Sequence, residues 1–289
     1  MAENKQTIVI TGTSNGFGRS TAETFLRDGW RVYATMRDSK GRNATAAAEL
    51  RALGAEVLEL DVTSDASVDA AATAIHAAGP VDVLVNNAGN AYMGITEAFT
   101  PAAAERQYAT NVIGPLRVNR AFLPAMRERR NGLVVFVSSV VGRFVVPFTG
   151  VYTSSKWAIE ALAEASSYEL RPFGVDVAIV EPGAYGTNVF ASMTAADDTT
   201  CLASYGDVGK VFDQLGAGMA ESAQGRSVAD IGDAILRLAK APAGSRPLRT
   251  IVPENEHAQA INDRTAPIQR AVLSDFGLAA FLAPETAAV

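Results

Sequence analysis

In the stretch GVYTSSKWAIEAL, Gly150 to Leu162, a tyrosine and a lysine stand four residues apart. Within a helix that is just over one turn, so Tyr152 and Lys156 share a face and come within reach of each other. The pair reads either as two surface side chains or as a phenol held beside an ammonium so that it can move a proton. Spacing alone leaves both readings open.

A second chemical feature is ITGTSNGFGRS, Ile10 to Ser20. Gly12, Gly16 and Gly18 let backbone amides approach a phosphate without side-chain obstruction, and the helix that follows offers its positive end. The spacing, Gly-x3-Gly-x-Gly, departs from the general dinucleotide fingerprint. The same residues also spell a nucleophile elbow, Gly12-Thr13-Ser14-Asn15-Gly16, as in an α/β hydrolase. That reading requires a later acid and histidine, and of His76 and His257 only His257 falls in the required order. An elbow on the first strand leaves no preceding segment to supply oxyanion-hole amides, which counts against it. Neither histidine stands near carboxylates or cysteines at metal-ligand spacing, so no metal site is expected.

The elements that must position these groups are written along the whole chain. TIVIT, WRVYATM, EVLEL, VDVLVN, GLVVFV, VDVAIV and LRTIV are short β-branched runs, apolar on both faces. Between them FGRSTAETFLRD, ATAAAELRAL, SVDAAATAIHAA, one long segment from about Pro101 to Arg129, and Tyr152 to Arg171 have the length and period of helices. Alternation of this kind predicts an α/β fold: one doubly wound parallel sheet of about seven strands with helices on both faces, in a single domain over 1–289. The stretch 184–225 reads either as a substrate lid or as an ordinary packed insertion. The tail from about Asn255 has a helical pattern broken by Pro267, and it is expected to cover a pocket, form an interface or pack on the core.

Bulk properties narrow the class. With 289 residues, 48% of them hydrophobic, the chain can bury a large core. A formal charge of −6 and a pI near 5.1 argue against nucleic-acid or anionic-membrane partners. The single cysteine, Cys201, excludes an internal disulfide. The most apolar stretch, LVVFVSSVVGRFVVPF, is interrupted by Ser138, Ser139 and Arg143 and is not expected to span a bilayer. Without the charged-then-apolar pattern of a signal peptide at its start, the chain reads as a soluble cytoplasmic protein.

VNNAG at Val85 to Gly89, Asn111, VSS ending at Ser139, YTSSK at Tyr152 to Lys156, and EPGAYGT at Glu181 to Thr187 fall in one order. That order resembles the short-chain dehydrogenase/reductase family, from about Thr7 to Val252. VYATMRD, RFVVPFTGVYTSSKWAIEALAE and the tail are similar to the branch containing 17β-hydroxysteroid and retinol dehydrogenases. The resemblance implies a Rossmann-type domain that moves hydride between a nicotinamide and a carbinol or carbonyl carbon. It makes Tyr152 the general acid/base, Lys156 its activator and a ribose ligand, Ser139 the donor to the carbonyl oxygen, and Asn111 the support of a proton-relay water. A free tyrosine has a pKa of about 10, so bringing it toward 7 takes roughly 4 kcal/mol of preferential phenolate stabilisation. The lysine and the positive nicotinamide are expected to supply it.

For the cofactor, the resemblance assigns Gly12, Ser14, Asn15, Gly16, Phe17 and Gly18 to the phosphates, and Asn87, Ala88 and Gly89 to the adenosine side. Asp61 and Val62 go to the adenine, Pro182, Gly183 and Thr187 to the carboxamide, with Tyr152 and Lys156 also in contact. At the end of the second strand Met36 takes the place of an NAD-type carboxylate and Arg37 follows, which favours NADP(H). Asp38 keeps NAD(H) possible. The implied substrate is a hydrophobic alcohol or carbonyl compound, with Phe144, Val146, Tyr92, Met93, Tyr185 and Phe190 as possible walls. Assembly as a homodimer or homotetramer through the helices containing Asn111 and Tyr152 is likewise implied. A non-catalytic NADP-sensing regulatory protein is the rival from another class, since fold does not fix function.

Overall fold

The first strand, β1 (Thr7–Thr11), is buried at every residue, as a strand must be when helices cover both of its faces. The structure, a computed structural model, describes residues 5–185, 193–209, 211–212, 218, 221 and 223–282. Six more strands follow: β2 (Arg31–Met36), β3 (Glu56–Glu59), β4 (Val83–Asn86), β5 (Gly132–Val137), β6 (Val175–Pro182) and β7 (Arg249–Val252). They form one sheet in the order β3-β2-β1-β4-β5-β6-β7, with every pairing parallel. The chain reverses its direction of travel across the sheet between β1 and β4. A crevice opens there at the carboxyl edge.

Alternation along each strand feeds two cores. Ile8, Ile10, Val83 and Val85 pack with Phe25 of α1 (Gly16–Arg27), Leu50 of α2 (Ala44–Ala52) and Ile235 of α8 (Ala229–Lys240). Val9, Leu84, Val134 and Phe136 face Ile75 of α3 (Asp65–Ala78), Phe122 of α5 (Gly114–Arg129) and Ile159 of α6 (Gly150–Leu170). Helix α8 was not anticipated. Its apolar stripe (Ile231, Ala234, Ile235, Leu238) closes the first core against α1.

The expected long helix from Pro101 to Arg129 is three pieces. Helix α4 (Pro101–Tyr108) runs into a π turn over Ala109–Ile113, and α5 resumes at Gly114. Pro115 has no N–H to give to a carbonyl one turn back, which is where the regular ladder would continue.

The tail forms α9 (Glu256–Asp275), capped by Asn255 and unbroken through Pro267. The proline removes one hydrogen bond from an exposed stretch, and the turns on either side carry the helix past it. The first turns of α9 pack on the body, with Ala258 buried against Val140 and Val141. Within 184–225, Thr194 pairs with Tyr92, and Asp197 accepts from the Thr100 amide and hydroxyl. Asp198 then caps α7 (Thr199–Ser204). These described residues of the stretch pack on the body. Thr187 and Phe190 lie outside the described residues. Among the described residues no helix is long and apolar enough to cross a membrane, and no group of three potential ligands could hold a metal ion.

Candidate active site

The glycine turn between β1 and α1 is built by its contacts. Gly12 (φ +73°) has no room for a side chain, since a Cβ there would stand 2.8 Å from Ala88 Cα. A Cβ on Gly18 would lie 2.4 Å from both the Gly12 carbonyl and Asn87 Nδ2. Asn87 laces the turn to the end of β4, donating from Nδ2 to the carbonyls of Thr11 (2.8 Å) and Gly12 (3.0 Å). The Thr11 hydroxyl accepts from the amides of Asn87 and Ala88, both at 3.0 Å. Helix α1 starts behind this turn with Asn15 making no side-chain cap. Its first N–H groups and positive end therefore face the crevice.

That crevice is a cavity of about 530 Å³. Of the residues assigned to a cofactor, Gly12, Ser14, Asn15, Gly16, Phe17, Arg37, Asp61, Val62, Asn87, Ala88 and Gly89 line it. Gly18 sits beneath the turn as a packing glycine. Arg42, Asn43, Leu60, Asn90 and Thr110 also line the cavity and were missed. Arg42 brings a second guanidinium beside Arg37, and the signal for it was the RDSKGR run itself. Asp38 (φ +50°) accepts at Oδ2 from the Arg42 amide at 3.0 Å, so its carboxylate is engaged by its own loop. A glycine-lined wall, an uncapped helix start and two arginines fit a phosphorylated dinucleotide.

The cavity reaches the proton-handling residues through Asn111. In the π turn, Asn111 Oδ1 accepts from the Asn90 amide (3.0 Å) while Nδ2 donates to the Asn90 carbonyl (2.9 Å) and to Ser155 Oγ (3.1 Å). Ser155 lies between Tyr152 and Lys156 on α6 and donates to the Tyr152 carbonyl at 2.7 Å. Lys156, buried, donates from Nζ to the Val137 carbonyl at the end of β5 (3.0 Å), with Nζ 5.6 Å from the Tyr152 ring centre. Ser139 follows the same strand. Its hydroxyl accepts from the Val141 amide (3.3 Å) and donates to the Pro182 carbonyl at 3.4 Å, both long.

The electrostatics differ from the expectation of a phenol lowered toward 7. Burial pushes Tyr152 up to about 12, opposed by a hydrogen bond with Ser139. Burial also lowers Lys156 to about 8, opposed by the charge of Glu160. Both groups are driven toward neutrality because the protein's own atoms place them away from water. The chain by itself therefore holds the phenol protonated, ready to act as an acid.

The remaining described assignments lie outside the cavity lining. Gly183 donates to the Val252 carbonyl (2.8 Å), and Pro182 meets Ser139, so both stand at the β6 end and outside the cavity lining. Tyr185 belongs to the first core, edge-on to Phe17 at 5.4 Å. Tyr92 and Met93 are buried, Tyr92 with Phe99, whereas Phe144, Val146 and Tyr152 each pack, partly buried, against the cluster of Val140, Val141 and Ala258. The hydrolase alternative gains no partner: His257 is exposed beside Glu256 at 3.8 Å, and no described contact joins it to Ser14.

A family profile described as short chain dehydrogenase matches residues 6–198. Retinol dehydrogenase 8 of Bos taurus is 41% identical over 188 residues, which cover 63% of this chain and 60% of the relative. Estradiol 17-beta-dehydrogenase 1 of Rattus norvegicus is 42% identical over 188 residues, covering 62% of this chain and 54% of the relative. The chain thus spans less than two thirds of either relative's length. Among solved structures, a short-chain dehydrogenase from Sphingobium yanoikuyae in complex with NADPH superposes with a TM-score of 0.71 at 26% identity, covering 98% of both chains.

Proposed function

The chain belongs to the short-chain dehydrogenase/reductase family, and from that premise we propose that it is an NADP(H)-dependent oxidoreductase interconverting a hydrophobic alcohol and its ketone or aldehyde. The observation that carries this reading is the run of buried Ser139 and Lys156 around half-buried Tyr152, tied by Ser155 and Asn111 to a glycine-lined cavity.

The residues lining the cavity would hold a nicotinamide dinucleotide, which when reduced would supply the hydride. The Ser139 hydroxyl, loosely held in its own loop, turns to donate to the substrate's carbonyl oxygen. Tyr152, held protonated by burial, gives its phenolic proton to that oxygen as the carbon is reduced, and the alcohol leaves with both hydrogens. Oxidation reverses each transfer. Lys156 lies on the face of α6 next to Tyr152 and binds the ribose while its charge favours the phenolate formed. Arg37 and Arg42 favour the 2′-phosphate of NADP(H), and the apolar, buried Met36 offers no carboxylate to the ribose of NAD(H). Thr187, assigned to the carboxamide, completes this proposal.

The names of the two relatives point to apolar alcohols, and Phe144 and Val146, which pack on the same small cluster as Tyr152, support a substrate of that kind. Exposed Ile113, Leu116 and Trp157, on or next to the helices of Asn111 and Tyr152, support assembly as a homodimer or homotetramer. A cytoplasmic location belongs to the same proposal. Replacing Tyr152 by Phe tests it, with retinal and estrone as probe carbonyls and NADPH as reductant. An enzyme loses turnover and keeps NADPH affinity. Wild-type protein that binds NADPH but reduces no carbonyl in a broad apolar panel would favour the sensing protein.

A further inference from the structure

One turn beyond Lys156, the buried side of α6 enters a cluster of three carboxylates around one guanidinium. Arg249 of β7 donates from Nε to Glu160 Oε2 at 2.9 Å and from Nη2 to Glu164 Oε2 at 2.6 Å. Glu181, at the end of β6, places Oε1 3.4 Å from the same Nε. The Glu160 side chain is 3% exposed and that of Glu181 is 0% exposed. Glu164 is further relieved by the Tyr168 hydroxyl (2.6 Å). Arg143, the other cation of the cluster, reaches over from the turn after β5 and donates to Thr265 of α9 at 2.8 Å. From α9, Asn262 donates to Glu181 Oε2 at 2.8 Å.

The hydrogen bonds that are made leave one oxygen of Glu160 and one of Glu181 without a donor, while Arg143 Nε is itself unpartnered. One N–H of Arg249 serves both Glu160 and Glu181. Neither Glu181 Oε1 nor Glu160 Oε1 accepts a regular hydrogen bond, and the Ser138 hydroxyl acts on Glu160 from the turn after β5. Two like charges buried at one N–H do not both ionise readily, and a proton retained by either supplies the missing hydrogen. We propose that Glu160 and Glu181 hold one proton between them at neutral pH, and that this proton links the seating of α9, through Asn262, to the charge on Lys156. Glu160 is then a positioning residue that acts through Lys156, whose role rests on the function proposed above.

The direction of each titration agrees. Burial raises Glu160, and it raises Glu181 to about 7 with the Glu160 charge adding to the effect. Glu160 supports the charged form of Lys156, and a proton on Glu160 withdraws that support.

Infrared spectroscopy of the full chain in heavy water reads the carboxylic C=O stretch without any nucleotide or substrate. The wild type should show a buried, protonated-acid band that is lost as pH rises through about 7. Glu160→Gln and Glu181→Gln should each move the loss of the band to lower pH, because each removes the like charge that adds to burial in keeping the proton on the other. A band whose pH of loss is unmoved in either variant, or a band absent from the wild type, overturns the shared proton. Asn262→Ala, which keeps both acids, should move the loss of the band to higher pH. An unmoved band overturns the link to α9, and this variant serves if a Gln variant does not fold. In Glu160→Gln the rise of Tm that accompanies Lys156 deprotonation, from about pH 8 upward, should begin at lower pH. An unchanged onset overturns the action on Lys156. Failure to bind NADPH would count against the oxidoreductase reading and leave these three readouts standing.

Discussion

Asn111 Nδ2 donates to Ser155 Oγ at 3.1 Å, joining a π turn between two helices to the second turn of the helix that contains Tyr152 and Lys156. The same side chain holds both backbone groups of Asn90, at the edge of the dinucleotide-sized cavity. One amide therefore sets the position of the cavity wall relative to the proton donor. Asn111→Ala should leave the Asn90 amide and carbonyl without these partners and cost about 1–3 kcal/mol of stability. It should also lower kcat more than it raises KM for NADPH. Chemical denaturation and steady-state kinetics check the two parts.

Tyr152→Phe removes the proton donor while keeping the ring. Turnover should fall by roughly 10²–10⁴. NADPH affinity should stay within a few-fold of wild type, as read by calorimetry.

Gly18→Ala places a methyl 2.4 Å from the Gly12 carbonyl and from Asn87 Nδ2. Backbone on one side and the Asn87 bridge on the other leave nothing flexible to yield. A loss of about 1–3 kcal/mol is expected, together with weakened nucleotide binding, by thermal melting with and without NADPH.

Arg37→Ala and Arg42→Ala should each weaken NADPH by about tenfold or more, since a charge-assisted bond contributes roughly 1.5–3 kcal/mol. NADH affinity should hold. Equal losses for both nucleotides would mean that neither arginine reads the 2′-phosphate.

Lys156 is lowered in the folded chain to about 8 from an ordinary value of 10.5, first by burial. Between those values the unfolded chain binds more protons than the folded one, so stability rises with pH across this window. Lys156→Met should flatten that rise. Tm measured from pH 8 to 10 gives the slope.

Much of the fold was legible because strands and helices of a doubly wound sheet repeat short local patterns. All seven β-branched runs became strands, and ITGTSNGFGRS stands, as read, between the first strand and the first helix. The long helix before Arg129 was misread. Its interruption depends on one missing N–H at Pro115 and on Asn111 finding Asn90 and Ser155, and the second condition is tertiary. Arg42 escaped notice because a loop brings it back beside Arg37. The Glu160–Arg249 pair joins residues 89 apart, and nothing in the period of either segment announces the other. The phenol's position above its ordinary value was also hidden, since sequence shows the neighbouring lysine but not the burial that outweighs it.

The central claim is tested most directly by titrating the full chain with NADPH and with NADH by calorimetry. Saturable binding of NADPH, at least tenfold tighter than NADH and lost on doubling the substitution at Arg37 and Arg42, is the predicted result. A folded sample that binds neither nucleotide would contradict the account.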